Sequence, residues 1–176
     1  MAYLGPQGTF TEQALYTQPD LVSLDLQLAS SIPDVFRRVV KGEASLGFAA
    51  IENSIEGSVN ITQDTLAFEV DLFIQREVVI SIQLNLMVAP GTAMADVERI
   101  VSFPHAIAQC RGWLALNLPD AEVQASNSTA DAARLLATEP DGRTAAIAPS
   151  RAADAYGLAV LAADRSEEHT SELQSQ

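Results

Sequence analysis

Four short polar stretches carry the residue types from which a binding site can be built: GPQGTFT (5–11), ENSIEGS (52–58), SFPHAIAQ (102–109) and ASNSTADA (125–132). Each follows an apolar run and precedes a helix-like segment. Each therefore sets hydroxyl or amide side chains beside a helix N-terminus, where backbone N–H groups lack intrahelical acceptors. In open α/β sheets, ligands bind at such positions, beyond the carboxyl ends of the strands. Unpaired N–H groups and the helix dipole hold a carboxylate without a cationic side chain. The chemistry this pattern suits is the capture of a small carboxylate by neutral donors.

Each stretch also has a plainer reading. Ser128 and Thr129, before ADAARLLA, suit the N-cap of a helix. Asn53, Ser54 and Gly57 suit a turn after a buried strand. Gln109, one turn into a helix, reads as a surface glutamine. Cys110 reads as a small core residue with no adjacent base to make it a nucleophile, and His105 as a solvated loop histidine or a general acid. GPQG is too short to be a dinucleotide fingerprint. Taken singly, none of these stretches defines a function.

Composition narrows the classes. The chain has 176 residues, 48% of them apolar, enough for one large domain or two small lobes with a core. One cysteine excludes an internal disulfide and a cysteine-cluster metal site, and two histidines without HExxH spacing argue against a zinc enzyme. A net charge of −13 argues against nucleic acid as a partner, since phosphate contacts need clustered Lys and Arg. No apolar run is long enough to span a membrane, and the start lacks a basic n-region followed by an apolar h-region. The expectation is a cytoplasmic protein with no membrane partner, no metal and no cofactor. An anionic ligand must then be held by local donors against an unfavourable overall field.

The elements that would position these stretches alternate. MAYLG reads as a strand, and TFTEQALY as a helix with Thr9 or Thr11 as N-cap and Glu12 in its first turn. LVSLDLQLA alternates like a strand, and SSIPDVFRRVVKGE is a helix capped by Ser31, with Pro33 in its first turn and Gly42 ending it. ASLGFAAI is apolar on both faces, as a buried parallel strand should be. REVVISIQLNLMVAP sets Val78, Ile80, Ile82, Leu84, Leu86 and Val88 on one face, a long period-two stretch suited to crossing between lobes. Helices at MADVERI, AIAQCRGWLALNL, TADAARLLA and SRAADAYG then alternate with strands at IVSF, AEVQA, TAAIAP and LAVLA. Such a rhythm implies parallel α/β sheets in two lobes hinged near residues 75–90.

Taken together, YLGPQGTFTEQAL, AAIENSIEGSVN, SFPHAIAQCRGWL, NSTADAA and AAIAPSRAADAYGLAVLA resemble, in order and spacing, the catalytic domain of prephenate dehydratases. The resemblance runs from Ala2 to about Ala163. It implies an α/β fold of two lobes of the type II periplasmic-binding-protein kind with a cleft between them: lobe 1 at 1–76, lobe 2 at 77–157, and the start of a return to lobe 1 at 158–164. It also implies decarboxylating dehydration of prephenate to phenylpyruvate, in L-phenylalanine biosynthesis, without metal or cofactor, by a protein that is typically a homo-oligomer. Carried over motif by motif, Glu52, Asn53, Ser102 and Gln109 are the expected catalytic residues. Thr9, Thr11, Ser54, Gly57, Ser128 and Thr129 are the expected substrate-binding residues. Arogenate in place of prephenate, or a non-catalytic anion-binding module of the same fold, are the alternatives.

Two departures stand out. Phe103 takes the place of a family histidine and cannot donate a hydrogen bond, with His105 two places on. Family members continue after YGLxVL to a Thr-Arg-Phe motif and an ACT domain, and neither is found in this sequence. Instead Arg165–Ser175, RSEEHTSELQS, coincides with the translation of a common short-read sequencing adapter. Residues 165–176 are therefore expected not to be native, and the polypeptide to be a truncated catalytic domain with little or no activity.

Overall fold

The first apolar run becomes the central strand of a small parallel sheet. The computed structural model describes residues 1–53 and 57–165; the expectations for Ser54 and for the segment after Arg165 lie outside these described residues. β1 (Ala2–Leu4) leads into α1 (Phe10–Tyr16), α2 (Pro19–Val22), β2 (Gln27–Ala29), α3 (Ile32–Val40) and β3 (Gly47–Phe48). β1 lies between β2 and β3, parallel to both, with Tyr3 opposite Leu28 and Phe48. Met1, Ala2, Tyr3, Leu15, Ala29 and Val35 are buried about this sheet. β4 (Glu52–Asn53) and β5 (Gly57–Ser58) pair antiparallel, and α4 (Asn60–Asp64) continues into a π-helical turn at Thr65–Glu69.

Local signals set the helix starts. The Thr9 hydroxyl accepts from Glu12 N–H at 3.1 Å and caps α1, while Ser31 accepts from Asp34 N–H at 3.2 Å and caps α3. α3 packs closely on β3: a Cβ added at Gly47 would lie 2.9 Å from Val35 Cγ1 and 3.3 Å from Val39 Cγ2. Two segments differ from the expected strands. Pro19 opens a helical turn that takes Leu21 and Val22, so only Gln27–Ala29 of that alternating run joins the sheet. In ASLGFAAI only Gly47–Phe48 pairs, with Gly47 exposed and Phe48 half-buried rather than buried on both faces.

Asp34 anchors the start of α3. Its carboxylate accepts from Ser30 N–H and Arg38 Nε–H, each at 3.2 Å, and from the Arg37 guanidinium. The Arg37 hydrogen bond, then those of Ser30 and Arg38, hold its carboxyl well below the usual 3.8, at about 2. A depressed carboxylate stabilises the fold above its unfolded value, and that contribution is lost as pH falls from about 4 through about 2. Asp34→Asn should therefore be less stable than the parent in urea melts at pH 7, and the gap should close as the melts are repeated toward pH 2. A gap that stays constant across that window would show that the network contributes nothing to stability through its charge.

The chain divides into two compact units, Met1–Ile80 and the residues from Ser81 onward, a few residues from the 76/77 boundary expected of the sequence. The second unit comprises β6 (Asn85–Val88), a 3₁₀ turn at Met94–Asp96, β7 (Arg99–Ser102), α5 (Pro104–Gln109), α6 (Arg111–Asn117), β8 (Glu122–Ala125), α7 (Thr129–Thr138), β9 (Thr144–Ala148), α8 (Ser150–Tyr156) and β10 (Ala159–Ala162). Its sheet has the order β10-β6-β9-β7-β8, with β7 parallel to β8 and β9, and β6 antiparallel to β9 and β10. Residues 158–164, read from sequence as the start of a return to the first lobe, thus supply β10 to this sheet. Beyond β10, Arg165 N–H donates to Leu84 C=O at 2.8 Å.

The long period-two stretch is only partly a strand. Val78, Ile80 and Ile82 are half-buried and Val79 is 84% exposed, so the alternation is kept as sidedness, but ladder pairing begins at Asn85. MADVERI is likewise not a helix. After the 3₁₀ turn, Glu98 and Arg99 donate their N–H groups to Arg143 C=O at 2.8 and 3.1 Å, which draws Arg99 and Ile100 into β7.

The core beneath this sheet is built from small residues. Ala132, Ala133, Ala146, Ala148, Ala152 and Ala153 surround Met87, Val101 and Leu136. Asn85 is buried at one end of β6. Its Nδ2 donates to Gln83 C=O at 3.3 Å and Ala148 C=O at 3.4 Å, and its Oδ1 accepts from Asp164 N–H at 3.1 Å. Among the described residues no helix is long and apolar enough to cross a membrane.

Candidate active site

In the first unit, the two polar stretches leave the same edge of the sheet. β1 and β3 run parallel, so Gly5–Thr9 and the chain entering β4 both start from strand carboxyl ends. Gly8 turns with φ +82°, a left-handed conformation that glycine adopts without strain, and leads into the Thr9 cap. Thr9 and Thr11 are both half-buried. Because the Thr9 oxygen accepts from Glu12 N–H, its hydroxyl proton can still be donated elsewhere.

Glu52 and Asn53 lie on β4 opposite Ser58 and Gly57. Glu52 is exposed and Asn53 half-buried. Gly57, the first residue of β5, has φ +81°, a left-handed conformation that glycine adopts without strain. Val59 N–H donates to Ile51 C=O at 2.9 Å and Thr62 Oγ1–H to Ala50 C=O at 2.7 Å, so the two ends of the hairpin are tied to each other at its base.

In the second unit, β7 and β8 pair in parallel with Ser102 opposite Ala125, and Ser126 N–H donates to Ser102 C=O at 2.8 Å. The polar stretches 102–109 and 125–132 thus start side by side. Ser128 caps α7 by accepting from Asp131 N–H at 3.0 Å, and Ser126 Oγ–H donates to Ser128 C=O at 2.8 Å. Ser128 and Thr129 are half-buried. The structural reading of Ser128 as a cap is met, and its hydroxyl proton can still be donated elsewhere.

Ser102 is fully buried, and its hydroxyl donates to Ile147 C=O at 2.6 Å, tying β7 to β9. With its proton committed there, Ser102 can offer a ligand only an acceptor. Gln109 ends α5 and is half-buried rather than an exposed surface glutamine. Cys110, fully buried, marks a break between α5 and α6 where one continuous helix was expected. Phe103 occupies the N-cap position of α5 without a side-chain cap, and its ring stacks on His105 with centroids 5.4 Å apart.

The residue that sequence reasoning passed over is Glu12. Read only as an acidic residue of a helix's first turn, it is fully buried, and its carboxylate accepts from Tyr3 Oη–H at 2.9 Å and Gly8 N–H at 2.7 Å. The available signal was its place four residues after Gly8, one helical turn on. Among the described residues no three His, Cys, Asp or Glu side chains gather as a metal-holding group.

Two α/β units with polar loops at their strand ends place the chain in the type II periplasmic-binding-protein-like class, the fold of the solved structures it matches. The prephenate dehydratase family model matches residues 1–171, and the chain belongs to that family. The prephenate dehydratase of Mycolicibacterium vanbaalenii is 42% identical over 178 residues, spanning 93% of this chain and 56% of that protein. The crystal structure of prephenate dehydratase from Arthrobacter aurescens in complex with L-Phe matches with a TM-score of 0.83 at 38% identity, over 95% of this chain and 55% of that one. A structure described as a novel type of quorum-quenching acylase, GqqA, matches with a TM-score of 0.79 at 27% identity, over 95% of this chain and 59% of that one. The chain spans about half the length of the curated relatives it matches.

Proposed function

We propose that the full-length protein carrying this chain is a prephenate dehydratase. The observation that carries this reading is the family match at 42% identity across almost the whole chain. The reaction removes the ring carboxylate of prephenate as carbon dioxide and its ring hydroxyl as water, leaving phenylpyruvate with an aromatic ring. One proton must reach the departing hydroxyl, and the electron pair of the breaking C–C bond enters the ring as the C–O bond breaks. The enzyme therefore has to hold two carboxylates and orient the ring, tasks suited to neutral donors. Excluding water from the ring carboxylate would further favour its loss.

In this reading Thr9, Thr11, Asn53, Ser54, Ser128 and Thr129 supply donors to the carboxylates. Gln109 orients the ring, Ser102 fixes the end of β7 from which α5 carries Gln109, and Glu52 and Gly57 shape the hairpin that presents Asn53. The half-burial of Thr9, Thr11, Asn53, Ser128 and Thr129 supports this assignment.

The test is an assay of the purified full-length gene product with prephenate and, separately, arogenate, following phenylpyruvate or phenylalanine formation. Phenylpyruvate formed at a rate well above the uncatalysed one is expected. Preference for arogenate would move the protein to the aminated substrate, and turnover of neither would overturn the reading.

A further inference from the structure

Glu12 is a buried acidic group to which the dehydratase reading gives no role. A carboxyl group removed from water is tolerated only where hydrogen bonds replace hydration, and an apolar residue of similar volume often stabilises a fold as well or better. Stability alone therefore does not account for an acid at this place. What the carboxylate does provide is geometry. Oε1 accepts from Tyr3 Oη–H at 2.9 Å and Oε2 from Gly8 N–H at 2.7 Å, so one side chain of α1 holds both the preceding strand, β1, and the loop between them. Glu12 N–H donates in turn to Thr9 Oγ1 at 3.1 Å. Strand, left-handed turn and cap are thereby fixed to one residue.

We propose that Glu12 is a positioning residue for the substrate loop of the first unit. By holding the Gly8 turn it sets Thr9 and Thr11, and it takes Gly8 N–H out of the set of donors a carboxylate ligand can use. This rests on the dehydratase reading for the identity of the substrate, but the loop-holding role stands on geometry alone. Glutamine can reproduce the heavy-atom geometry: its oxygen accepts from Gly8 N–H, and its NH₂ donates to the Tyr3 hydroxyl oxygen once the tyrosine proton, which now points at Glu12, rotates away. Aspartate keeps the carboxylate but is one methylene too short to reach both partners, and alanine reaches neither.

Two measurements test this. In the full-length gene product, Glu12→Ala should raise KM for prephenate at least about tenfold and Glu12→Asp at least about threefold, with kcat changed less than KM, while Glu12→Gln stays within about twofold of the parent. In the 176-residue chain, hydrogen exchange at the amides of Gly8 and residue 12, the two that are bonded in this turn and cap, should quicken in Glu12→Ala and Glu12→Asp and not in Glu12→Gln. Glu12→Gln, which can keep both partners, is the arm least prone to misfolding, and far-UV circular dichroism checks that each variant is folded before its KM is compared. An unchanged KM in a folded Glu12→Asp, or exchange equal to the parent's in both Glu12→Ala and Glu12→Asp, overturns the proposal. So does a Glu12→Gln variant as impaired as Glu12→Ala. An inactive parent protein would instead overturn the dehydratase reading, and the exchange experiment would still decide whether Glu12 holds the loop.

Discussion

Replacing Asn53 by alanine in the full-length gene product is expected to lower prephenate turnover at least about tenfold, the equivalent of about 1.4 kcal/mol of lost transition-state stabilisation. Asn53 is half-buried on β4, in a hairpin whose ends are fastened by the Val59–Ile51 and Thr62–Ala50 hydrogen bonds. Its amide is thus carried on a braced element rather than a loose loop, and a hydrogen bond to a charged group contributes about 1.5–3 kcal/mol. Initial rates across a range of prephenate concentrations check this. Near-normal kcat and KM in Asn53→Ala would remove Asn53 from the proposed carboxylate donors.

The largest stability effect is expected from Met87→Ala in the second unit. Met87 is fully buried on β6, and much of what surrounds it is alanine on β9, α7 and α8. An alanine methyl is fixed to the backbone and cannot swing into a vacated volume, so the cavity left at Met87 would persist. Buried Met→Ala changes cost about 2–5 kcal/mol, and the poor capacity of this site to collapse points to the upper part of that range. Urea denaturation of the parent and variant measures it. A loss under about 1 kcal/mol would mean that the alanine-lined sheet and helices close over the gap after all.

The helix caps were legible because they depend on short-range chemistry: Thr9, Ser31 and Ser128 each cap the helix whose start their sequence marked. The polar strand ends were legible for the same reason, and the motifs joined them to a family. What sequence hid was anything set by a partner distant along the chain. The alternation of Val78–Ile82 reports an extended backbone with two unequal faces, but periodicity does not say whether a neighbouring strand is there. MADVERI has helical spacing, yet the Arg143 carbonyl, far away in sequence, claims the N–H groups of Glu98 and Arg99. Ser102 looked like a ligand-facing hydroxyl because nothing local reveals that Ile147 C=O lies 2.6 Å from its oxygen. Glu12 was missed because acidic residues in a helix's first turn are common enough to need no further explanation.

Asn85 has a consequence for the chemical polarity of the junction it occupies. Two carbonyls face its nitrogen and one N–H faces its oxygen, so the two ends of the amide are distinguished by their partners. A carboxylate of nearly the same size and shape would match only one of those ends and turn a negative oxygen toward the carbonyls of Gln83 and Ala148. Steric similarity therefore predicts little at this position, where exchanging a single NH₂ for an oxygen replaces two attractions with two repulsions. The end of β6 is keyed by donor and acceptor identity rather than by volume.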